Sequence, residues 1–436
     1  MNIGLRNFIK KPFVKNVAIL VSGTAGAQII TMLLSPIITR LYGPENYGIM
    51  GTFMSIIAIF LPIAALTYPI AIVLPKSDQE AQRIAHLSLI VTIIITTISF
   101  ITITLFNDEI VRIFKLDELK IFIYLIPVTI FFGGVLQIVE QWLIRKKQFK
   151  ISARVSILQS LLIHGGMVLV GFINPAAFVL IVFTCFQYGL KGFLMYGFIQ
   201  STENKLTLNF PKGIHSLKDI AKSYKDFPLF RAPQVFLNAI SRSIPILMLT
   251  SLFGPSAAGF YSLGRTVMSA PTVLIGKSVG DVFYPRISEA SKSGENLTEL
   301  IKKATISLAL VGFIPYGLVI LFGPWIFKLI FGYEWAMAGE YARWIALWIF
   351  FAFINRPSVS SLPVLKAQLF HLKFTIVELI LRIFSILVGA IFLSNDLAAV
   401  ALFGITGAIS NLVLILTTIR FSKNFDKKKN FASEGA

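Results

Sequence analysis

Apolar runs long enough to cross a lipid bilayer are the feature that most restricts how this chain can fold. One of them extends from 84 to 106 without a single Asp, Glu, Lys or Arg. A helix of about 20 apolar residues crosses the roughly 30 Å hydrocarbon core. The 436 residues are 56% hydrophobic and only 14% charged, whereas globular proteins carry about 25% charged residues. We therefore predict an all-α polytopic membrane protein.

Twelve such runs are present, and we number the corresponding helices as spans 1 to 12. Each limit is approximate because the ends of apolar runs do not mark helix ends sharply. The predicted spans are 17–39, 47–73, 84–106, 120–144, 151–172, 177–199, 228–251, 259–284, 304–327, 340–363, 368–393 and 396–420.

The 40 Lys and Arg residues set the orientation of these spans. Most of them lie before span 1, in alternate loops and after span 12, as in the basic runs 145–154 and 420–429. Cytoplasmic loops carry such an excess of Lys and Arg. The pattern predicts a multi-pass protein of the cytoplasmic (inner) membrane with both termini in the cytoplasm. It also accounts for the net charge of +19 without a nucleic-acid partner.

The longest polar stretch lies in the middle of the chain and divides it into two halves. We predict an N-terminal six-helix bundle at 1–204, a cytoplasmic linker at 205–227, a C-terminal six-helix bundle at 228–420 and a cytoplasmic tail at 421–436. The linker is expected to contain a short amphipathic helix around 215–225. The tail is expected to be disordered from Lys423 onward.

The two halves carry similar turns at similar places. Leu41-Tyr42-Gly43-Pro44 with Gly48 follows span 1, and Leu252-Phe253-Gly254-Pro255 with Gly259 follows span 7. Pro75-Lys76 and Pro285-Arg286 then end spans 2 and 8. Two repeats of six helices each enter the membrane from the same side. The pattern predicts two pseudo-symmetric bundles with a functional cavity between them.

Charged residues inside the spans are the candidates for a site, because a charge in the bilayer costs at least about 2.5–3.5 kcal/mol. Arg242 in span 7 and Arg265 in span 8 have no acidic residue within four positions on their own helices. Arg356 and Arg40 are further candidates. A cavity with Arg side chains favours anions, and the planar guanidinium matches phosphate. We therefore expect these residues to bind an anionic substrate.

The other charges inside the spans suggest internal pairs or ion-coupling sites. Lys277 and Asp281 are four residues apart, as are Glu378 and Arg382, a spacing that allows pairing on one helix. Glu140 lies one turn before the basic end of span 4 and forms the last candidate of this kind.

Enzymatic and metal-dependent functions have little support in the sequence. The single cysteine and the four widely spaced histidines form no metal-ligand motif, and we expect no metal, cofactor or catalytic residue. A membrane-embedded glycosyltransferase or polymerase would require poised carboxylates. The one acidic outer cluster lies in a short loop that also carries basic residues and is expected to be a solvated turn; it comprises Asp108, Glu109, Asp117 and Glu118.

Two segments of the N-terminal half resemble a known family. The run 41–48, LYGPENYG, and the run 71–81, AIVLPKSDQEA, are similar to the polysaccharide-transporter family. Its members are the O-antigen-type flippases of the multidrug/oligosaccharidyl-lipid/polysaccharide exporter superfamily. The resemblance extends to the length of the whole chain, its helix count and its duplication. It implies a MATE-like, V-shaped pair of bundles with a cationic lumen.

The resemblance also implies a function. Such a protein would move undecaprenyl-pyrophosphate-linked oligosaccharide repeat units from the inner to the outer leaflet by alternating access, as in O-antigen and lipopolysaccharide synthesis. Its partners would be the polyprenyl-pyrophosphate-linked glycan, the bilayer, a glycan polymerase and chain-length machinery. The alternative is a cation-coupled multidrug exporter of the same superfamily. That alternative calls for carboxylates in the N-terminal bundle, yet span 1 has none and the mid-membrane charge is mostly basic.

Overall fold

The computed structural model describes residues 12–114, 120–203, 206, 217–271 and 277–434. This part of the chain is helical, and ten of its helices are long and apolar enough to cross a membrane. The predicted all-α polytopic fold is confirmed. The long helices are Pro12–Phe60, Asp78–Phe114, Leu125–Arg145, Phe149–Gly171, Ala177–Gln200, Ala232–Phe253, Pro255–Pro271, Lys277–Ser293, Leu297–Phe331, Ala336–Ile354, Gln368–Ile391 and Asp396–Glu434. Shorter α-helices lie at Leu217–Ser223 and Arg356–Ser361, and 3₁₀ turns lie at Leu61–Ile63 and Tyr68–Val73.

The difference between ten helices and twelve predicted spans has two local causes. Spans 1 and 2 follow each other in Pro12–Phe60, which is interrupted at Gly43 by non-helical backbone. Span 8 is described as two segments, Pro255–Pro271 and Lys277–Ser293, each of 17 residues, and residues 272–276 between them lie outside the described part. A helix of that length extends only about 25 Å, which is short of the hydrocarbon thickness.

The described chain forms two compact units, which we call unit 1 (Met1–Ser251) and unit 2 (Leu252–Ala436). Unit 1 therefore includes span 7 in addition to the first six spans. The hydroxyls of Thr52 on span 2 and Thr250 on span 7 are hydrogen-bonded at 2.6 Å, and both side chains are fully buried. The domain limits predicted from the polar segment stay a prediction.

Within unit 1, span 5 packs on spans 1 and 6, and span 4 packs on spans 3 and 6. Small residues allow the closest of these approaches. A Cβ atom added to Gly23 of span 1 would lie 2.3 Å from the Cβ atom of Ala153 on span 5. Backbone contact of this kind is how helices associate in a bilayer, where apolar burial alone gives no preference for a neighbouring helix over lipid.

The polar segment before span 7 also belongs to the packing of unit 1. Its short helix, Leu217–Ser223, buries Ile220 among apolar residues of spans 2, 3 and 4. The Tyr224 hydroxyl donates to the Glu80 carboxylate at 2.9 Å. Burial and this hydrogen bond raise the pKa of Tyr224 to about 12. The segment is therefore anchored to the ends of spans 2 and 3.

Within unit 2, span 10 packs on spans 8, 9 and 12, and span 12 packs on span 11. Spans 9 and 10 touch backbone to backbone, since a Cβ atom on Gly339 would lie 2.4 Å from the carbonyl oxygen of Gly323. Span 12 continues to Glu434, and the Asp426 carboxylate accepts hydrogen bonds from the first amides of span 9, Leu297 and Thr298, at 3.2 and 3.0 Å. The expectation of disorder from Lys423 was therefore wrong, because that segment caps span 9.

The predicted duplication appears in the packing of each unit. The contacts of span 4 with spans 2, 3 and 6 have counterparts in those of span 10 with spans 8, 9 and 12. The contact between spans 5 and 6 likewise corresponds to that between spans 11 and 12. The two glycines of the repeated turns, Gly43 and Gly254, both have positive φ, at 68° and 99°. The sequence repeat therefore reflects a repeated arrangement of helices.

Exposed apolar side chains cover the outer faces of several spans. On span 3 they include Ile93, Ile98 and Leu105, and on span 11 they include Ile376 and Ile380. Continuous apolar surfaces of this size are unstable in water but suit lipid chains. The multi-pass membrane character therefore follows from the structure as well as from the composition.

Candidate functional site

Span 7 presents a polar face to a cavity of about 410 Å³ within unit 1. Arg231, Gln234, Asn238 and Arg242 recur at intervals of three or four residues, which places them on one face of the helix. All four side chains are exposed, and exposed polar groups of a membrane span must face water rather than lipid. The lining comprises Ala58, Pro62, Arg231, Gln234, Val235, Asn238, Ala239, Arg242 and Ser243.

The described lining of this cavity carries positive charge and no carboxylate. Arg231 and Arg242 are eleven positions apart, which corresponds to about 16 Å along a helix. Between them lie two carboxamides, and Arg231 Nη1 donates to Gln234 Oε1 at 3.1 Å. Guanidinium and amide N–H groups along one face form a row of hydrogen-bond donors. Such a row can bind an extended anion with several phosphate oxygens.

The opposite wall comes from an irregular part of span 2. The α-helix ends at Phe60 and continues as a 3₁₀ turn at Leu61–Ile63, where Pro62 has no amide hydrogen to donate. Gln137 on span 4 donates from Nε2 to the carbonyl oxygen of Leu61 at 2.6 Å. This contact holds the turn in place, so Ala58 and Pro62 form a preformed apolar wall across from the polar face.

The four predicted cationic candidates lie in different places. Arg242 lines the cavity, whereas Arg40 lies exposed near the end of span 1, three residues before the break at Gly43. Arg265 and Arg356 belong to unit 2. Arg356 is exposed and starts the short helix Arg356–Ser361. A cavity shared by Arg242 and Arg265 stays a prediction.

Arg265 lies one turn after Tyr261, a member of a buried cluster inside unit 2. The Tyr261 and Phe403 ring centroids are 6.1 Å apart, and the Arg382 guanidinium lies 5.6 Å from the Phe403 centroid. Arg382 on span 11 forms an ion pair with Glu378, and its guanidinium stacks 4.5 Å from the Trp348 ring centroid. A guanidinium stacked on Trp gains cation–π attraction in addition to the ion pair. Glu378 and Arg382 are thus engaged with each other and with aromatic neighbours.

Two of the remaining charged residues, Glu140 and Asp108, form ion pairs. Glu140 Oε1 accepts from Lys191 Nζ at 2.7 Å, which joins span 4 to span 6. Asp108 pairs with Lys120 at 2.5 Å on the surface, and Asp117 and Glu118 lie outside the described residues. The side chains of Lys277 and Asp281 also lie outside the described part, so their predicted pairing stays a prediction.

Sequence reasoning finds one of the four polar residues on the cavity face of span 7. By sequence, Arg231 counts only as a charge of the polar segment before span 7. Gln234 and Asn238 do not stand out, because uncharged amides are common at the ends of spans. The spacing 231, 234, 238 and 242 is the available signal. A single charged residue does not show which other residues lie on the same side of its helix. The recurrence of polar residues every three or four positions does show this.

Comparisons with known proteins agree with this architecture. A family described as polysaccharide biosynthesis protein matches residues 37–340. The chain is 20% identical over 336 residues to the succinoglycan biosynthesis transport protein ExoT of Rhizobium meliloti (strain 1021), covering 75% of this chain and 63% of that protein. It is 19% identical over 269 residues to the teichuronic acid biosynthesis protein TuaB of Bacillus subtilis (strain 168), covering 62% and 54%. The chain thus spans less than two thirds of either relative.

Solved structures share the fold at low sequence identity. The lipid II flippase MurJ in an inward closed conformation superposes with a TM-score of 0.67 at 16% identity, covering 94% of this chain and 90% of that one. An outward-facing multidrug resistance MATE family transporter of the MOP superfamily gives a TM-score of 0.60 at 15% identity, with coverage of 95% and 96%. The fold of this chain is therefore of the MurJ and MATE type.

Proposed function

The chain belongs to the polysaccharide biosynthesis protein family, and we propose that it is a flippase for a glycan linked to a polyprenyl pyrophosphate. The substrate is an undecaprenyl-pyrophosphate-linked oligosaccharide repeat unit, moved from the inner to the outer leaflet of the cytoplasmic membrane by alternating access. The family and the fold are those of transport proteins, and the proposal includes no catalytic step or cofactor. A glycan polymerase and chain-length machinery would act on the delivered units.

The observation that carries the proposal is the row of donors on span 7. A pyrophosphate with its attached sugars is an extended anion, and Arg231, Gln234, Asn238 and Arg242 form a row of guanidinium and amide donors of matching length. One guanidinium group would bind the pyrophosphate, and the other donors would bind sugar hydroxyls. The apolar wall at Ala58 and Pro62 suits the less polar faces of sugar rings. The polyprenyl chain stays in the bilayer, which removes the cost of drawing it through a polar cavity.

The membrane potential provides a driving force for such a substrate. With an inside-negative potential of 100 mV, each negative charge that moves outward contributes about 2.3 kcal/mol. A dianion would gain up to about 4.6 kcal/mol, less whatever positive charge moves with it. Cytoplasmic termini, which the distribution of Lys and Arg predicts, orient the cationic cavity for substrate that arrives from the cytoplasm.

The proposed glycan is defined only by its class. The relatives' names concern succinoglycan and teichuronic acid, so O-antigen and lipopolysaccharide are two members of a wider set of glycans. Arg265, Arg356 and Arg40 remain proposed contributors to substrate binding. Their proposed roles are secondary because they do not belong to the cavity lining on span 7.

The proposal is tested with a fluorescent, short-chain polyprenyl-pyrophosphate-linked glycan in proteoliposomes. Charge-assisted hydrogen bonds contribute about 1.5–3 kcal/mol each, and about 1.4 kcal/mol corresponds to a tenfold change in affinity. Arg242→Ala and Arg231→Ala should each weaken binding by about 10- to 100-fold and slow flipping accordingly. Arg112→Ala, which removes an exposed cation of the same unit outside the cavity, serves as the matched control and should change neither quantity.

Two results would contradict the proposal. One is a double variant Arg231→Ala/Arg242→Ala that binds and flips the labelled glycan as well as the wild-type protein. The other is drug export from loaded vesicles with no competition by the pyrophosphate-linked glycan, which would favour the multidrug exporter. We do not expect drug export, because a cationic drug would need carboxylates to bind and the described cavity lining contains none.

A further inference from the structure

Unit 1 contains a second cavity, of about 200 Å³, lined by residues of spans 1, 2, 5 and 6. It shares no lining residue with the cavity on span 7. Hydroxyl, amide and imidazole groups face it together with apolar side chains. The lining comprises Thr31, Ser35, Ile38, Tyr47, Met50, Ile163, His164, Met167, Leu180, Thr184 and Gln187.

His164 on span 5 is the one described lining residue whose ordinary pKa lies near physiological pH. The only other titratable group in that lining is the phenol of Tyr47 on span 2, which is neutral at such pH. Spans 1 and 6 contribute Thr31, Ser35, Thr184 and Gln187 to the lining, none of which titrates. No described carboxylate or ammonium faces the imidazole across the cavity, so a charge on His164 would be the local change that matters.

The hydrogen bonds of His164 determine which nitrogen can accept a proton. Nδ1 lies 2.9 Å from the carbonyl oxygen of Ser160, and a carbonyl only accepts, so Nδ1–H donates. In the neutral ring Nε2 is therefore the basic nitrogen. The backbone of span 5 thus sets the tautomer of His164. Nε2 is therefore the nitrogen that gains or loses the proton.

Ser160 also connects the histidine to span 1. Its hydroxyl, nearly fully buried, donates to the carbonyl oxygen of Ala27 at 2.9 Å and lies 3.1 Å from the Thr31 hydroxyl. The same hydroxyl lies 3.4 Å from His164 Nδ1. Polar contacts therefore connect the imidazole to the backbone of span 1 through Ser160.

We propose that His164 is a proton-binding site of unit 1 and that its protonation controls the transport cycle. An imidazolium in a cavity without a carboxylate is stabilised only by hydroxyl oxygens and by water. Protonation therefore favours conformations in which the cavity holds more water, and those conformations in turn bind the proton more tightly. The control of transport rests on the proposed flippase function, whereas the proton site itself does not.

The proton site is tested without transport. The protein labelled with ¹⁵N-histidine is placed in nanodiscs, and its four histidines (His86, His164, His215 and His371) are followed by NMR across a pH series. The resonance that His164→Gln removes should titrate between about pH 5 and 8. His164→Asn, which keeps an amide donor near the Nδ1 position, provides a second assignment if the Gln variant folds poorly. A resonance that stays neutral throughout that interval would overturn the site.

The control of transport is tested in proteoliposomes at fixed membrane potential and varied pH. Flipping by the wild-type protein should change several-fold across about pH 5 to 8, and His164→Gln should remove that dependence. His371→Gln, which changes a histidine of span 11 outside this cavity, should keep it. The proposed effect of His164 protonation on transport would be refuted by a His164→Gln variant with the wild-type pH profile. It would also be refuted by a wild-type flipping rate that does not change with pH. Absence of any glycan flipping at all pH values would instead refute the proposed function and leave the NMR result standing.

Discussion

Arg145, at the basic end of span 4, closes the turn between spans 2 and 3. Its guanidinium donates to the carbonyl oxygens of Ile72 at 3.1 Å and Pro75 at 2.7 Å, and to the Asp78 carboxylate at 2.9 Å. Its side chain is only 10% exposed. Ile72, Pro75 and Asp78 belong to the run whose sequence resembles polysaccharide transporters. The structure therefore gives that run a structural role, as the acceptor for an arginine on another span.

Replacement of Arg145 should destabilise unit 1. Arg145→Ala leaves the carbonyl oxygens of Ile72, Pro75 and Lys76 without this donor and Asp78 without one of its partners. Hydrogen bonds to charged groups contribute about 1.5–3 kcal/mol each. We expect a loss of about 2–4 kcal/mol in the free energy of unfolding, measured by thermal or denaturant unfolding in detergent. Arg145→Lys should recover only part of it, because an ammonium group lacks the planar fork.

Lys146→Ala is the matched control for this experiment. Lys146 also pairs with Asp78, but it is not among the donors to the carbonyl oxygens of this turn that the structure describes. The Asp78 side chain of this pair is 51% exposed, and an ion pair with a solvated carboxylate contributes about 1 kcal/mol or less. Equal destabilisation by the two alanine substitutions would show that the carbonyl contacts of Arg145 are unimportant.

At the level of elements, the breaks in the helices are as informative as the helices. Gly43 has φ 68° and ψ 173°, a combination that is essentially restricted to glycine. The next residue is Pro44, whose ring is compatible with the first turn of a new helix. Gly-Pro therefore ends span 1 and starts span 2 within two residues. The repeat of this pair at Gly254-Pro255 divides spans 7 and 8 in the same way.

Substitution of either turn glycine should be costly. A Cβ atom forced into such backbone costs about 1–3 kcal/mol, so Gly43→Ala and Gly254→Ala should each lower the free energy of unfolding in detergent by that amount. Gly197→Ala is the control, because Gly197 is helical and a Cβ atom there would meet no neighbouring atom within 4 Å. It should be neutral or stabilise by up to about 1 kcal/mol. Neutral behaviour of Gly43→Ala would contradict the assignment of the turn.

For the whole molecule, the distribution of basic residues makes a prediction about sidedness. After replacement of the buried Cys185 by Ser, single cysteines are introduced at exposed loop positions: Asn174→Cys, Ser201→Cys and Ser394→Cys. A membrane-impermeant maleimide applied to intact spheroplasts should label the first and third variants. Ser201→Cys should react only after the membrane is broken, because its loop belongs to the basic set that is predicted to be cytoplasmic. The reverse pattern would contradict the predicted orientation.

Most of the helical architecture was predictable from the sequence. Apolar length defined the spans, because no other structure satisfies the backbone of such runs in lipid. The Gly-Pro turns were also predictable, because glycine permits a positive φ and proline fixes φ, so the two residues themselves determine the backbone of the turn. The helical continuation to Glu434 was not predicted. Its stabilising contact is between Asp426 and the start of span 9, and these residues are far apart in sequence.

Hydropathy, proline and glycine act over a few residues, so the order of amino acids is enough to establish a duplicated, many-span membrane protein with cationic residues inside its spans. The contacts of those charges became known only from the packing of the helices. Glu140 pairs with Lys191 across two spans, Arg382 stacks on Trp348, and Arg242 lies with Arg231 along the cavity face of span 7. The environment of a charge inside a membrane protein depends on which helices surround it, and residues distant in the chain set that packing.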